Sequence, residues 1–321
     1  MNERPTLSVA IIHDQRAGHL NPSLGIYDSL EAAYTTTLHQ ITTPNIKKWQ
    51  ISLLKKLSWY PNIFNLCASL IFKVEPAEKI NCIICSGMPN LLYSIYLSHK
   101  WSVPLFYAGD LRKVNSQLVN CTITALEQKS LTDQVVLATP PVKKVFFEMQ
   151  NDPLDQNKAL LILGGSTDEH PFTTPDFEKM ILKFISFCTQ HSLNGLITNS
   201  RRTPDLTSCL KKIKFPKNIQ LHFSQDKQAL SLIELIRQST YIFVTEDSTS
   251  MIAEAIQSGR YVSSIYTAAS TLEVLNKKYL DQKLMSRQNL AESFQIPNAK
   301  NTGNLDLTSP IIEAFKRNLG Y

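Results

Sequence analysis

The sequence predicts an α/β protein with two Rossmann-like domains that face a central cleft. Its 321 residues are roughly twice the length of a typical single domain. Short apolar runs that end in small or polar residues alternate with helical patterns, which favours parallel sheets covered by helices on both faces. The alternation lapses once, near residues 139–157, and then restarts. We therefore expect one domain at residues 1–145, a second at 146–305 and a last helix at 306–321.

The first half contains four apolar runs that are typical of strands, at residues 7–12, 80–85, 103–107 and 135–138. Asn21 and Pro22 are the residue types of an N-cap and a first helical turn, so a helix is expected from there to about residue 33. A second helix is expected at about residues 89–100.

The second half repeats the pattern, with apolar runs at about residues 159–163, 195–198, 219–223, 241–245 and 261–265. Helices are expected at about 176–191 and 228–238. Thr203 and Pro204 suit the N-cap and first turn of another helix, and residues 245–248 lead into one that ends at Gly259. An amphipathic pattern predicts the last helix at residues 308–319. Open sheets of this kind bind ligands at the carboxyl ends of their strands, so the cleft is the expected ligand site.

Composition excludes several classes of protein. The net charge of +6 is spread along the chain, so we expect no nucleic-acid partner. Cys82 and Cys85 lie three positions apart in a strand and point to opposite faces, which disfavours a shared metal or a dithiol. The chain has neither a signal-like start nor an apolar run of about 18 residues. A cytoplasmic protein is expected.

Three loops of the second half follow apolar strands and should gather at one edge of the sheet. The first contains Gly164, Gly165 and Ser166, whose backbone N–H groups suit a phosphate oxygen. A tight turn with no ligand is the alternative for these glycines. The second loop contains Arg201 and Arg202, which either bind an anion or form a solvated charge pair.

The third loop is the most informative. Ser248, Thr249 and Ser250 supply hydroxyls and free N–H groups at a helix N-terminus, where the helix dipole favours a diphosphate. Glu254 lies four residues beyond Ser250 on the same helical face, from which it would reach outward to a hydroxylated group such as a ribose.

Two segments carry a family resemblance. They are Asn199-Ser200-Arg201-Arg202-Thr203-Pro204 and Thr245-Glu246-Asp247-Ser248-Thr249-Ser250-Met251-Ile252-Ala253-Glu254-Ala255. Together they resemble the family named after the plant mitochondrial fission protein "elongated mitochondria", whose bacterial members are regarded as glycosyltransferases with the two-domain GT-B fold. Asp14, Gly18, His19 and Gly25 resemble the first loop of that family, and Gly164-Gly165 its glycine turn.

The resemblance implies a nucleoside-diphosphate sugar as co-substrate, without a bound metal or another cofactor. It also implies that the helix at 306–321 crosses back to the first domain. The donor-binding residues it implies are Gly164, Gly165, Ser166, Ser200, Arg201, Arg202, Glu246, Asp247, Ser248, Thr249, Ser250 and Glu254.

A transfer to a hydroxyl also needs a base that removes the acceptor proton. Asp14, at the end of the first strand, and His19, in the loop after it, are the nearest candidates, and Asp110 is a third. An aspartate that caps a turn and a histidine that lies on the surface are the alternatives.

A basic amphipathic segment points to the acceptor. On a helical wheel one face is shared by Ile46, Trp49, Leu53, Leu57 and Tyr60, with lysines beside it. Such a segment can lie peripherally on the inner face of an anionic membrane, which would favour a lipid-linked glycan as acceptor. A helix packed on its own sheet gives the same pattern.

The leading hypothesis is a metal-independent glycosyltransferase that uses a nucleoside-diphosphate sugar. A nucleotide-sugar epimerase of the same architecture is one alternative. A non-catalytic, membrane-associated adaptor of the mitochondrial-fission type is the other, because a fold alone does not determine function.

Overall fold

The computed structural model describes residues 4–73, 79–129, 131, 133–154, 157–300 and 305–320. It divides into two units. Unit 1 comprises Met1–Lys144 and Asp306–Tyr321, and unit 2 comprises Val145–Leu305. Each unit contains a six-stranded sheet in which all neighbouring strands are parallel.

The strands of unit 1 are β1 (Thr6–His13), β2 (Thr35–Thr42), β3 (Cys82–Ser86), β4 (Leu105–Ala108), β5 (Cys121–Thr124) and β6 (Gln134–Val136). They lie in the order β2-β1-β3-β4-β5-β6. The helices that accompany them are α1 (Ala17–Leu30), α2 (Lys48–Leu57), α3 (Pro61–Ile71), α4 (Asn90–Trp101) and, across the unit boundary, the short α5 (Lys144–Glu148).

The core of unit 1 joins β1, β3 and α4, whose residues 90–97 are all buried. The last helix, α11 (Thr308–Leu319), belongs to this unit. The ring of Phe315 stacks on that of Phe106 with a centroid distance of 3.6 Å. Arg317 and Asn318 donate to the carboxylate of Asp133. The final segment of the chain is thus part of the first sheet's packing.

The strands of unit 2 are β7 (Lys158–Leu163), β8 (Asn194–Asn199), β9 (Ile219–His222), β10 (Tyr241–Thr245), β11 (Tyr261–Tyr266) and β12 (Ser286–Asn289). They lie in the order β12-β11-β10-β7-β8-β9. The helices are α6 (Thr174–Gln190), α7 (Thr207–Leu210), α8 (Leu232–Gln238), α9 (Thr249–Gln257) and α10 (Val274–Asp281). Aromatic packing dominates the core, where Phe243 of β10 meets Phe184 and Phe187 of α6 at ring distances of 5.8 Å and 4.9 Å.

Two predicted helix starts are wrong. Helix α1 begins at Ala17, not near Asn21, because Gln15 turns the chain with a φ of +64° and Pro22 is accommodated inside the helix. Thr203 is not an N-cap, since α7 begins only at Thr207. The hydroxyl of Thr203 instead bonds to the carbonyl of Leu163 at 2.8 Å.

Three strands, β2, β5 and β12, were not predicted because polar residues make up much of each. Within the described residues, no helix combines the length and apolar character required to span a bilayer.

Candidate functional site

Unit 2 has a topological switch point between β7 and β10. The chain leaves β7 towards β8 on one side and later returns on the other side as β10, so loops diverge and open a crevice at the carboxyl ends of these two strands. Gly164 and Gly165 follow β7, and Glu246 and Asp247 follow β10. Two of the three predicted loops therefore meet at this point.

The carboxylate of Asp247 holds the loops together. Its side chain is fully buried and accepts hydrogen bonds from the Gly165 N–H at 2.8 Å and from Thr245 Oγ1 at 2.6 Å. Arg202 Nη2 donates to the same carboxylate at 2.8 Å. Burial raises the pKa of Asp247, and these hydrogen bonds and the arginine charge oppose that rise. Asp247 is thus a link between the ends of β7, β8 and β10.

The glycines of the first loop are required by this packing. A Cβ on Gly164 would lie 2.0 Å from Asp247 Oδ1, and a Cβ on Gly165 would lie 2.7 Å from Arg202 Cβ. In this structure the Gly165 N–H is already used by Asp247. The predicted contact of this loop, including the exposed Ser166, with a phosphate stays a prediction.

The two arginines differ in their surroundings. Arg202 is half exposed and paired with Asp247. Arg201 is exposed and makes no hydrogen bond or ion pair with any other residue that the structure describes. Ser200 is buried, and its hydroxyl accepts the Arg202 N–H at 3.1 Å, so it shapes the loop. Arg201 is therefore the cation of this loop that a ligand can reach without breaking a pair.

Helix α9 begins as predicted, with Ser248 as its N-cap and Thr249 and Ser250 in its first turn. The Ser248 side chain makes no capping hydrogen bond. Because the first N–H groups of a helix lack partners within the helix, those of residues 249–251 point out of its N-terminal end, where the helix dipole is positive. This end of α9 is suited to an anion.

Two predicted donor-binding carboxylates are not placed as expected. Glu246 is fully buried, and Arg287 clamps it, with Nη2 at 2.9 Å from Oε2 and Nε on Oε1. Ser264 donates to it at 2.9 Å. The prediction that Glu246 contacts a donor is therefore wrong, because it has no accessible surface. Glu254 is 4% exposed, so the expectation that it reaches outward is also wrong, and its contact with a ribose stays a prediction.

A cleft of about 270 Å³ lies beside these loops and was missed by the sequence analysis. Its wall includes Thr198 and Asn199 at the end of β8, His222 at the end of β9, and Met251 of α9. The Thr198 hydroxyl donates to the His222 carbonyl at 2.7 Å, which fixes the two strand ends together. Asn199 and Met251 belong to the two segments that carry the family resemblance. Thr198 and His222 have no signal besides their position at strand ends.

In unit 1, Asp14 and His19 form a pair at the equivalent switch point, between β1 and β3. His19 Nδ1 lies 3.0 Å from both carboxylate oxygens of Asp14. Gly87, directly after β3, packs against the ring, since a Cβ there would lie 2.3 Å from His19 Cδ2. His19 Nε2 makes no hydrogen bond to another residue in the described ranges, and the side chain is 24% exposed. This nitrogen can exchange a proton with a ligand.

Asp110 is not part of this pair. It is exposed, and its Oδ1 accepts the N–H of Arg112 at 2.8 Å, the geometry of an aspartate that caps a turn. Among the described residues, no hydrogen bond or ion pair joins it to Asp14 or His19. The structure thus brings together two of the three base candidates.

The amphipathic segment near residues 46–60 is only partly packed on its own unit. Leu54 of α2 is buried, and Ile46 and Leu57 pack against the core. Trp49 and Tyr60, by contrast, are 61% and 62% exposed. Leu53 is exposed as well, so three of the five residues of the predicted apolar face lie in solvent, and the packing alternative does not account for them.

Comparison with known families identifies the chain. The model of the family described as mitochondrial fission ELM1 matches residues 139–310, which is more than half of the chain. The chain belongs to the mitochondrial fission ELM1 family. The matched part of this ELM1-family chain includes the Asp247 link, Arg201 and the whole of α9. The family predicted from the two loop motifs is confirmed. A comparison with curated protein sequences finds no match.

Several solved structures align with the ELM1-family chain over nearly its whole length at low sequence identity. A complex of MnaA from S. aureus with UDP aligns with a TM-score of 0.54 at 12% identity, over 98% of this chain and 97% of MnaA. MurG from Acinetobacter baumannii gives 0.49 at 11% identity, over 96% and 94% of the two chains. The E. coli ADP-heptose LPS heptosyltransferase II gives 0.47 at 10%, over 98% of both. At this identity the MnaA likeness shows the fold alone. The prediction of two Rossmann-like α/β domains of the GT-B type is confirmed.

Proposed function

We propose that this ELM1-family protein is a glycosyltransferase that uses a nucleoside-diphosphate sugar. The observation that carries the proposal is the switch point of unit 2. Arg201, which pairs with no other described residue, and the N-terminus of α9, whose N-cap side chain makes no capping hydrogen bond, lie there at the carboxyl edge of the sheet. Both are groups that bind phosphate oxygens. The UDP complex of MnaA, on the same fold, supports a nucleotide as the ligand.

In this proposal the diphosphate lies at the end of α9. Arg201 and the N–H groups of residues 249–251 stabilise the negative charge that grows on the diphosphate as its bond to the sugar breaks. Arg202 adds a cation whose position Asp247 fixes at 2.8 Å. These groups would do the electrostatic work that a metal does elsewhere, so the proposed reaction needs no metal ion.

We assign the nucleobase to the cleft beside His222. Its volume of about 270 Å³ suits a flat heterocycle, and Met251, in the first turn of α9, forms part of its wall. A base in this cleft would place its sugar and phosphates near the helix N-terminus. The buried Glu254 would then touch a ribose only with the small part of its surface that is exposed.

We propose that His19 is the base that takes the proton of the acceptor hydroxyl. Because Asp14 accepts the Nδ1 proton at 3.0 Å, the neutral ring carries its lone pair on Nε2. Nε2 takes the proton of the acceptor hydroxyl, the oxygen forms the new glycosidic bond, and the diphosphate leaves with the electrons of the old one. Asp14 stabilises the imidazolium that results. Asp110 takes no step in this scheme.

The proposed acceptor is a lipid-linked glycan. The exposed Trp49 and Tyr60, with lysines on the same helix, favour peripheral contact with a membrane, where such an acceptor is presented. This part of the proposal is separate from donor binding, and either part can fail without the other.

A thermal-shift experiment tests donor binding. The wild type is heated with each common nucleoside diphosphate and its sugar conjugates, with and without magnesium. Since a ligand that binds only the native state raises the melting temperature, one nucleotide should give a shift that does not depend on magnesium. Arg201→Ala should lose it, whereas Lys211→Ala, an exposed cation of the same unit, should keep it. No shift with any nucleotide at millimolar concentration would overturn the donor site.

Product analysis then separates transfer from epimerisation. Sugar transfer to an acceptor should fall on His19→Gln and persist in His99→Gln, an exposed histidine on α4. A new sugar formed from the donor with no acceptor present would show an epimerase instead.

A further inference from the structure

The exposed apolar side chains of this protein are concentrated in one stretch. Seven of the twelve large apolar side chains exposed in the described part of the chain lie between residues 49 and 70. On α3 the exposed residues Ile63, Leu66 and Leu70 are three, then four, positions apart and so share one face. Leu66 is 67% exposed and Leu70 is 83% exposed. Apolar surface gathered in this way marks an interaction site.

The charge of this stretch has one sign. From residue 32 to residue 74 the sequence contains five lysines and neither aspartate nor glutamate. In the described ranges no carboxylate pairs with the side chains of Lys48, Lys55, Lys56 or Lys113. Lysine is depleted in protein–protein interfaces, whereas lysines flanking an apolar helical face are typical of helices that lie on anionic membranes.

A cleft of about 650 Å³ opens within this basic stretch. Those four lysines line it together with Trp59 and Tyr60. Trp59 and Tyr60 connect α2 to α3 and are 60% and 62% exposed. Tryptophan and tyrosine prefer the level of the lipid headgroups, where the ring is apolar on one side and wet on the other. The cleft therefore combines cations for a phosphate with rings suited to the interface.

We propose that α2 and α3 form a docking surface for a bilayer that contains anionic phospholipid. Leu66 and Leu70 insert among the acyl chains, and the lysine-lined cleft takes the phosphate of a lipid headgroup. This inference rests on the proposed function and specifies its membrane contact in more detail. It extends that contact from the α2 segment to the whole of α3 and names the ligand class.

Vesicle co-sedimentation of the full chain tests the proposal. One set of vesicles is pure phosphatidylcholine, and the other contains an equimolar amount of phosphatidylglycerol. The wild type should bind only the second set. At about 1 kcal/mol for each lysine near an anionic surface, Lys55→Gln with Lys56→Gln should weaken binding about 30-fold. The matched pair Lys211→Gln with Lys212→Gln, exposed in unit 2, should change it less than about twofold.

A second pair of variants tests insertion. Leu70→Glu should weaken binding at least about tenfold, because it loses the transfer of a leucine side chain into the bilayer. Val274→Glu, 70% exposed on α10, is the matched control and should bind as the wild type does. Each variant of the docking surface should still be stabilised by the nucleotide, and Arg201→Ala should still bind vesicles. These two results distinguish failure of this surface from failure of the donor site.

Three results would overturn the proposal. The first is that the wild type does not bind anionic vesicles, and the second is that Leu70→Glu binds them as tightly as the wild type does. The third is that sedimentation without lipid shows an oligomer that Leu70→Glu dissociates, which would mean that a second copy of the chain covers this surface.

Discussion

Replacing Gly87 with alanine tests the packing that holds the Asp14–His19 pair. Gly87 follows β3 with a φ of +74°. A Cβ on it would lie 2.3 Å from His19 Cδ2, 2.4 Å from Nε2 and 2.5 Å from Cγ. These approaches are far inside van der Waals contact, and the ring is held from its other edge by Asp14 at 3.0 Å. The substitution must therefore move the ring or the loop.

The expected loss of unfolding free energy has two parts. A left-handed backbone conformation costs a residue with a Cβ about 1–2 kcal/mol. Forcing extra volume into a packed site costs about 1–3 kcal/mol more. Gly87→Ala should thus destabilise the protein by about 2–5 kcal/mol. In a His19→Ala background the ring is absent, so only the backbone part, about 1–2 kcal/mol, should remain.

The difference between the losses in the two backgrounds is a coupling energy. It is measured by urea unfolding of the wild type, the two single variants and the double variant. We expect about 1–3 kcal/mol of coupling. Gly18→Ala is the control, because a Cβ there has nothing within 4 Å and alanine favours the helix by about 0.5–1 kcal/mol. An equal loss from Gly87→Ala in both backgrounds would refute the contact between this glycine and the ring.

Three further predictions concern the cores of the two units. Arg287→Ala leaves the carboxylate of Glu246 buried without its main partner, so the free energy of unfolding in urea should fall by about 3–5 kcal/mol. An unchanged unfolding midpoint would contradict this prediction. Phe315→Ala removes a fully buried ring and should cost about 3–5 kcal/mol, measured in the same way. Burial raises the pKa of the Cys85 thiol to about 12, so below that pH the native thiol stays protonated. Iodoacetamide at about pH 8.5, near the ordinary thiol pKa, should label the less buried Cys67 first and Cys85 only after unfolding, as peptide mass analysis would show.

Apolar strands could be predicted from the sequence, including the edge strands β6 and β9, and strands rich in polar residues could not. A strand buried on both faces, such as β7 or β10, is an unbroken apolar run, because helices cover both sides of the sheet. Strands β2 and β12 lie at the edges of their sheets and are mostly half-exposed or exposed. Polar residues are tolerated there, so periodicity gives no signal.

The error at Glu246 follows from such an edge strand. Two adjacent acids follow β10, and the sequence alone does not tell that both side chains are buried. The arginine that pairs with Glu246, Arg287, lies on β12, 41 residues later, and its position depends on the order of strands in the sheet. The pairing of Asp14 with His19 was missed for a related reason. It depends on the left-handed turn at Gln15, where glycine is the usual signal and is absent.

The two switch points are built in the same way, which decides how the donor site should be tested. In each unit an aspartate after a central strand binds a neighbouring element, the first turn of α1 in unit 1 and the loop after β7 in unit 2, and a glycine allows close approach. Substituting Asp247 or Gly164 would disturb the fold and any ligand site together, so lost nucleotide binding would not separate the two causes. Arg201 is exposed and unpaired among the described residues, and surface changes of this kind alter stability by only about 0.5 kcal/mol. Lost binding in Arg201→Ala, with an unchanged melting temperature in the absence of ligand, would therefore identify the site itself.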